Sequence, residues 1–240
     1  MNEHDTPVAL VTGASSGIGR AVAHRMATDG FHVLAAARRS DMLAELARTR
    51  PGIEPVTLDV TDADAVRVVV DDVVSRRGRI DVLVANAGVM PLSRLDAGLI
   101  EEWDRMVDVN VRGLLYSIAA VLPHFTRQDR GHVVTMASIG AHEVSPTAAV
   151  YCGTKFAAWA ITEGLRQESA PGIRVTTISP GVVESELATT ISDPVAQAVM
   201  DEYRRDAIAP EAIADAVAYA VGQPEGVDVS EMIVRPTRQR

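Results

Sequence analysis

Several common ingredients are scarce in this sequence. It has one cysteine, so no internal disulfide and no CxxC zinc site can be built, which fits a reducing compartment. Three Phe, two Trp and four Tyr are few aromatics for 240 residues, so Ala, Val, Leu and Ile must supply most of the core. Positive charge is short as well: 23 Lys and Arg against 32 Asp and Glu leave a formal net charge of −9. That balance argues against sequence-independent nucleic-acid binding, which relies on basic side chains neutralising phosphates. The six His are scattered without HxH or HxxxH spacing, and no metal site is expected. The polar start MNEHDTP reads as no secretory leader. The most suspicious apolar stretch, 113–126, lacks formal charge but is too short to cross a bilayer. With 47% hydrophobic residues the chain is not disordered. The expectation is a soluble, cytoplasmic protein of one domain, residues 1–240, whose partners are small molecules rather than nucleic acid or a membrane.

What the chain does contain is alternation. An apolar run from Val8 ends in a Gly-rich turn, and helical spacing follows through Ile18, Val22 and Met26 to Gly30. Further strands are predicted over 31–37, 55–60, 80–85, 132–137, 173–179 and 232–234. Helices are predicted over 101–127, 148–168 and 210–221, with a capping-box-like start at Thr61 and Asp64 for another that stops at Gly78. Strand alternating with helix is the pattern of an α/β, doubly wound parallel sheet with helices on both faces and its ligand at the carboxyl ends of the strands. Residues 182–206 carry mixed charge and no clean period, and read as a mobile segment covering the substrate.

The turn itself reads T-G-A-S-S-G-I-G, with Gly13, Gly17 and Gly19 in GxxxGxG spacing. Glycines permit the sharp turn and close backbone approach, and the N-terminus of the following helix presents free N–H groups to a pyrophosphate. Ser15 and Ser16 add hydroxyl donors, and a purely structural strand-to-helix turn is the alternative. An acidic residue at the end of the second strand would hold a ribose 2′-OH. Here that strand ends in Ala37, followed by Arg38 and Arg39. Guanidinium forks bind phosphate, which favours NADP(H) over NAD. Two solvated surface arginines are the bland reading, and Asp41 reads better as a helix-start carboxylate.

Tyr151 and Lys155 stand four apart at the start of a predicted helix, on one face. A neighbouring ammonium favours the phenolate and makes a Tyr usable as an acid or base near neutral pH. Ser138 ends the preceding strand, where its hydroxyl could hold a substrate carbonyl oxygen.

With these motifs in hand, the chain resembles the short-chain dehydrogenase/reductase family over essentially its whole length, from the single-domain, NADP-preferring branch with a Rossmann-type sheet. Thr12 to Gly19, including Ile18, match the family's cofactor turn. Leu58-Asp59-Val60 resemble its adenine-contacting segment, and Asn86-Ala87-Gly88 its NAG motif. Asn110 sits where the family has a catalytic Asn, and Ser138, Tyr151 and Lys155 match its catalytic Ser and YxxxK. Pro180-Gly181-Val182-Val183-Glu184-Ser185 resemble the segment beside the nicotinamide, with Ser185 replacing the usual Thr. Ala85 and Ala137 stand where many members have Asn and Ser.

The resemblance implies hydride transfer between nicotinamide and a ketone, aldehyde or secondary alcohol. Ser138 would polarise the carbonyl oxygen and Tyr151 would give the proton. Lys155 would lower the Tyr pKa and bind the ribose, and Asn110 would hold a relay water. A non-catalytic NADP-binding regulator is the alternative. Substrate contacts are expected from Ser138, Tyr151 and His142, with an apolar wall of Val89, Met90, Ile139, Val144, Pro146, Val183 and Leu187. Cys152 reads as a small packing residue and Trp103 and Trp159 as core or subunit contacts. Glu184 and Glu186 read as solvated loop charges. Apolar helices around residues 113–125 and 157–161 suggest a homodimer or homotetramer.

Overall fold

The computed structural model describes residues 6–239; most of the start MNEHDTP lies outside them. Seven strands form one sheet: β1 (Val8–Thr12), β2 (His32–Ala37), β3 (Ile53–Thr57), β4 (Val82–Ala85), β5 (Gly131–Met136), β6 (Ile173–Pro180) and β7 (Glu231–Val234). All pair in parallel, in the order β3-β2-β1-β4-β5-β6-β7. Parallel strands need crossovers, and eight helices supply them: α1 (Gly17–Thr28), α2 (Ser40–Thr49), α3 (Ala63–Arg77), α4 (Ile100–Val107), α5 (Gly113–Gln128), α6 (Ala149–Glu168), α7 (Pro194–Tyr203) and α8 (Pro210–Val221). This is the doubly wound α/β class that the alternation predicts.

The period of two in each strand divides the core. From β1, Ala9 and Val11 face the layer of α1, α2 and α8, where Val22, Met26, Leu43, Leu46, Ile213 and Val217 are buried. Val8 and Leu10 face the opposite layer, against Val70 of α3, Phe125 of α5 and Leu165 of α6. Both faces are covered, so the inner strands read as continuous apolar runs. Strand order changes direction between β1 and β4, and the crevice left at their carboxyl ends is where such sheets bind ligands.

Four local expectations change. The helix predicted over 101–127 holds a π-turn at Asp108–Arg112 between α4 and α5, and extra-residue turns of this kind are frequent at functional sites. The run Ile100–Gln128 is then long and apolar enough to cross a membrane by length and composition. The length argument over 113–126 therefore does not hold. In the fold, however, Leu114, Ile118, Val121 and Phe125 of this helix pack into the core. The helix before Gly78 is capped by Asp62, whose Oδ1 accepts from the Ala65 N–H at 2.9 Å, while Thr61 turns back to Asp59. Residues 182–206 contain a 3-10 turn, Glu186–Thr190, and α7, rather than structureless chain. Asp193 accepts from the N–H groups of Val195 and Ala196 with Pro194 at the first turn, a start signal that Asp-Pro in the sequence already carries.

His132 of β5 is buried with its Nε2 2.8 Å from Thr176 Oγ1 on β6, while Nδ1 has no partner. Burial pushes its pKa down to about 3, with the Arg174 charge adding to the effect. The unfolded chain binds a proton here below about pH 6.5 and the fold does not, so stability falls as pH drops through this window, by about 1.4 kcal/mol per pH unit. His132→Gln keeps a group able to bond Thr176 but does not titrate. Urea unfolding from pH 6.5 to 4 should show a shallower decline for this variant, and an unchanged slope contradicts the account.

Candidate active site

The site begins at the crevice between β1 and β4. Gly13 adopts φ +69°, and a Cβ there would lie 2.9 Å from both Ala87 Cα and Asn86 Nδ2. A Cβ on Gly19 would overlap the Gly13 carbonyl. No other residue fits this approach. Thr12 and Asn86 lock it: Thr12 Oγ1 accepts from the N–H groups of Asn86 (3.0 Å) and Ala87 (3.1 Å), and Asn86 Nδ2 donates to Thr12 O (2.9 Å). Ser16, the N-cap of α1, makes no side-chain cap bond. The first N–H groups of α1 are thus presented to the crevice without a capping oxygen, an arrangement suited to an anion.

The predicted cofactor residues line one cleft of about 820 Å³: Gly13, Ser15, Ser16, Gly17, Ile18, Gly19, Arg38, Arg39, Asp59, Val60, Asn86, Ala87, Gly88, Pro180, Gly181, Val183 and Ser185. Arg39 donates through Nε and Nη2 to Ser15 Oγ and through Nη2 to Ser16 Oγ, the last at 2.7 Å. Arg38 is more open, its side chain 60% exposed and 4.0 Å from Asp59. Burial would raise the Asp59 carboxyl, but the Thr61 N–H and hydroxyl and the Arg38 charge outweigh it and hold the pKa below the usual value.

Deeper in the cleft stand the polar side chains of β5 and α6. Ser138 Oγ accepts from the Gly140 N–H at 3.1 Å, which leaves its own proton to give. Gly140 keeps this corner open: a Cβ there would lie 3.4 Å from Ser138 Oγ and from Tyr151 Cε1. Tyr151 is buried, and its pKa is pushed up to about 12 by that burial against a lowering contribution from Ser138. The expected lowering by Lys155 does not prevail. Its Nζ is 5.9 Å from the ring centroid and donates to the Met136 carbonyl at 2.9 Å. Burial brings Lys155 itself down to about 8. Tyr151 is therefore a neutral proton carrier at neutral pH and Lys155 an ammonium close to titration.

Asn110, in the π-turn, is buried and clamps the chain after β4. Its Oδ1 accepts from the Val89 N–H (2.8 Å), and Nδ2 donates to Val89 O and Thr154 Oγ1, each at 3.0 Å. Both amide protons are committed, so only the second lone pair of Oδ1 remains for a water. Gly88 lets the backbone pass close to two of these groups, since a Cβ would lie 3.4 Å from Asn110 Oδ1 and 3.7 Å from Lys155 Nζ.

Two expectations are corrected. His142 does not face the cleft: its Nε2 lies 2.9 Å from Ser179 Oγ on β6 and 3.1 Å from Glu231 Oε1 on β7. A position four residues after Ser138 carries the side chain past the short turn Ile139–Ala141 and over the strand ends. Val144 is 64% exposed and outside the cleft lining. The other expected apolar residues do line it, joined by Leu92 and by Val199, Met200 and Tyr203 of α7. Cys152 is buried at the cleft wall, and burial pushes its thiol pKa up, away from nucleophilic use. Glu186 is the residue that sequence reasoning undervalued, because it pairs with Arg39 at 2.8 Å. Nothing in its local pattern signals a partner so distant in the chain. Among the described residues no group of three His, Cys, Asp or Glu is placed to hold a metal.

A family model described as short chain dehydrogenase matches residues 7–196. An uncharacterized oxidoreductase of Staphylococcus saprophyticus is 44% identical over 245 aligned positions, covering 100% of this chain and 99% of the relative. The solved structure of an alcohol dehydrogenase from the archaeon Thermococcus sibiricus, complexed with 5-hydroxy-NADP, has a TM-score of 0.86 at 31% identity over 98% of this chain and 99% of that one. The closed form of a serine dehydrogenase complexed with NADP+ has a TM-score of 0.89 at 27% identity over 97% and 96%.

The depressed Lys155 pKa carries a stability consequence. Between about pH 8 and 10.5 the unfolded chain holds the lysine proton and the fold does not, so the folded state gains as pH rises through that window. Below pH 8 the buried ammonium costs stability in full. Thermal melts of Lys155→Met, in which this proton is absent, should show the wild type gaining on the variant between pH 8 and 10.5. Parallel curves through that range contradict the burial account.

Proposed function

The chain is an oxidoreductase of the short chain dehydrogenase family, and from that premise we propose that it uses NADP(H) to move a hydride between the nicotinamide and a ketone, an aldehyde or a secondary alcohol. The observation that carries this reading is the convergence of Ser138, Tyr151 and Lys155 in the cleft that the Gly-rich turn opens onto. The cofactor supplies the hydride, and the protein supplies position and electrostatics. The glycine cradle and the uncapped start of α1 fit its pyrophosphate.

In the reductive direction Ser138 donates its free proton to the carbonyl oxygen, which polarises the bond and aligns it beside the phenol. Tyr151, neutral because it is buried, gives its proton to that oxygen. Lys155, its Nζ 5.9 Å from the Tyr151 ring centroid, stabilises the phenolate that remains, and it would hold the ribose of a bound cofactor. Asn110 holds the Val89 backbone and the Thr154 turn in register with Lys155, and its remaining lone pair accepts from a relay water. Choice of NADP(H) follows from Ala37, which offers a 2′-OH no carboxylate, and from the guanidiniums of Arg38 and Arg39 on the cleft rim. Two solved neighbours complexed with NADP forms support it. Residues 182–206 act as the covering segment of a single catalytic domain, and the apolar wall suits a modestly hydrophobic carbonyl substrate. We place the enzyme in the cytoplasm. Val107, Leu115 and Phe156, exposed apolar side chains on α4, α5 and α6, support assembly into a homodimer or homotetramer.

The enzymatic reading is tested by NADPH absorbance loss against a panel of ketones and aldehydes. Turnover is expected, with kcat/KM at least about tenfold higher for NADPH than for NADH. Tyr151→Phe should lower kcat by about two orders of magnitude or more. A Tyr151→Phe variant with near wild-type kcat removes the proposed proton donor. Light scattering at micromolar protein should give a dimer or tetramer mass, and a monomer mass rejects the assembly.

A further inference from the structure

Glu186 lies 147 residues after Arg39, and its carboxylate closes on that guanidinium: Arg39 Nη1 donates to Glu186 Oε2 at 2.8 Å. The same fork gives Nε to Ser15 and Nη2 to Ser15 and Ser16. All three of its nitrogens are therefore engaged by oxygens of the Gly-rich turn and the covering segment. Arg39 in turn draws the Glu186 carboxyl below its usual pKa, and the Ser16 hydroxyl assists.

The pair is seated by backbone, not only by two long side chains meeting in solvent. Ser185 lies against Gly17, where a Cβ would come within 3.2 Å of the Ser185 Cβ. Arg204, at the end of α7, donates to the Ser185 carbonyl at 2.6 Å and fixes the loop from its other side. Glu186 is thus delivered to the nucleotide end of the cleft. The side chains of Arg39 and Glu186 are 46% and 53% exposed, so an incoming anion can reach them from solvent. Arg38 has no part in this contact: its nearest carboxylate oxygen, on Asp59, is 4.0 Å away.

A guanidinium nitrogen held by a carboxylate at 2.8 Å is not free for a phosphate, and a carboxylate beside it repels one. We propose that Glu186 is an internal competitor for the cofactor's 2′-phosphate on Arg39, which rests on the NADP(H) reading above. The phosphorylated cofactor must displace Glu186 to reach the fork, whereas the unphosphorylated cofactor leaves the pair intact. Glu186 therefore sets how strongly the protein prefers NADPH: it reduces the part of that preference that Arg39 contributes beside Arg38.

The test is binding, measured by cofactor fluorescence on wild type, Glu186→Gln, Arg39→Ala and the double variant, at low and high salt. Glu186→Ala serves as a second removal of the charge. Loss of the carboxylate should tighten NADPH by about two- to fivefold, the range open to an exposed pair, and leave the Kd for NADH within error. The gain should vanish in the Arg39→Ala background and shrink at high salt. If Arg39→Ala weakens NADPH but neither Glu186 variant tightens it, the competitor is refuted while the cofactor reading stands. Equal tightening of NADPH and NADH also refutes it, since relief is then not specific to the phosphate. If the wild type binds both cofactors alike and Arg39→Ala changes neither, the cofactor reading fails and the proposal falls with it.

Discussion

The site depends on one close approach, the passage of the Gly-rich turn over the end of β4. Side chains at 13 and 19 would collide with Ala87, Asn86 and the Gly13 carbonyl, so the approach exists only because both positions lack a Cβ. Thr12 and Asn86 then fasten it with hydrogen bonds between neighbouring strand ends. Two results follow from this contact. Helix α1 starts at the crevice with its N–H groups facing outward, and the chain leaving β4 is set on a course past Asn110 and Lys155. Gly88 repeats the device one turn further on, where space is needed between those two polar groups.

Burial does the chemical work in the interior of the cleft. Tyr151 and Lys155 are both withdrawn from water, and each is displaced toward its uncharged form, to about 12 and about 8. At neutral pH the phenol therefore keeps its proton, and the ammonium lies close to its titration point. The Met136 backbone carbonyl supports Lys155, and among the described residues no carboxylate forms an ion pair with it. Such a group destabilises a fold at neutral pH, which is why its place in the helix is better explained by chemistry than by packing. The π-turn at Asp108–Arg112 belongs to the same economy of position, since it turns Asn110 inward to bridge Val89 and Thr154.

Beside this interior runs the segment 182–206, held at several points along its length. Val183 bridges to Ile208, Arg204 holds the Ser185 carbonyl, and Glu186 meets Arg39 across the cleft mouth. Ala196 and Met200 of α7 pack toward Tyr151 and Met106, while Val195 and Val199 remain exposed. The apolar cover and the charged clasp are thus carried by one stretch of chain, and they act on opposite ends of the cleft.

The sequence by itself determined the elements and the candidate site. Short continuous apolar runs alternating with helical spacing, punctuated by glycine, specify a parallel sheet, because strands buried on both faces admit few polar residues. Ser138, Tyr151 and Lys155 were legible as candidates because a Tyr and a Lys four apart on a helix are a local pattern, and so was the Gly-rich turn. The tertiary structure decided what local pattern cannot carry. The side chain of His142 turns to Ser179 and Glu231, two strands that meet only in the folded sheet. Tyr151 rises instead of falling in pKa because burial depends on everything packed around it, and a spacing of four residues fixes only its distance from Lys155. Glu186 finds Arg39 because the segment after β6 folds back over the turn after β1. Charge partners separated by 147 residues are set by the path of the chain, and no window of sequence contains both.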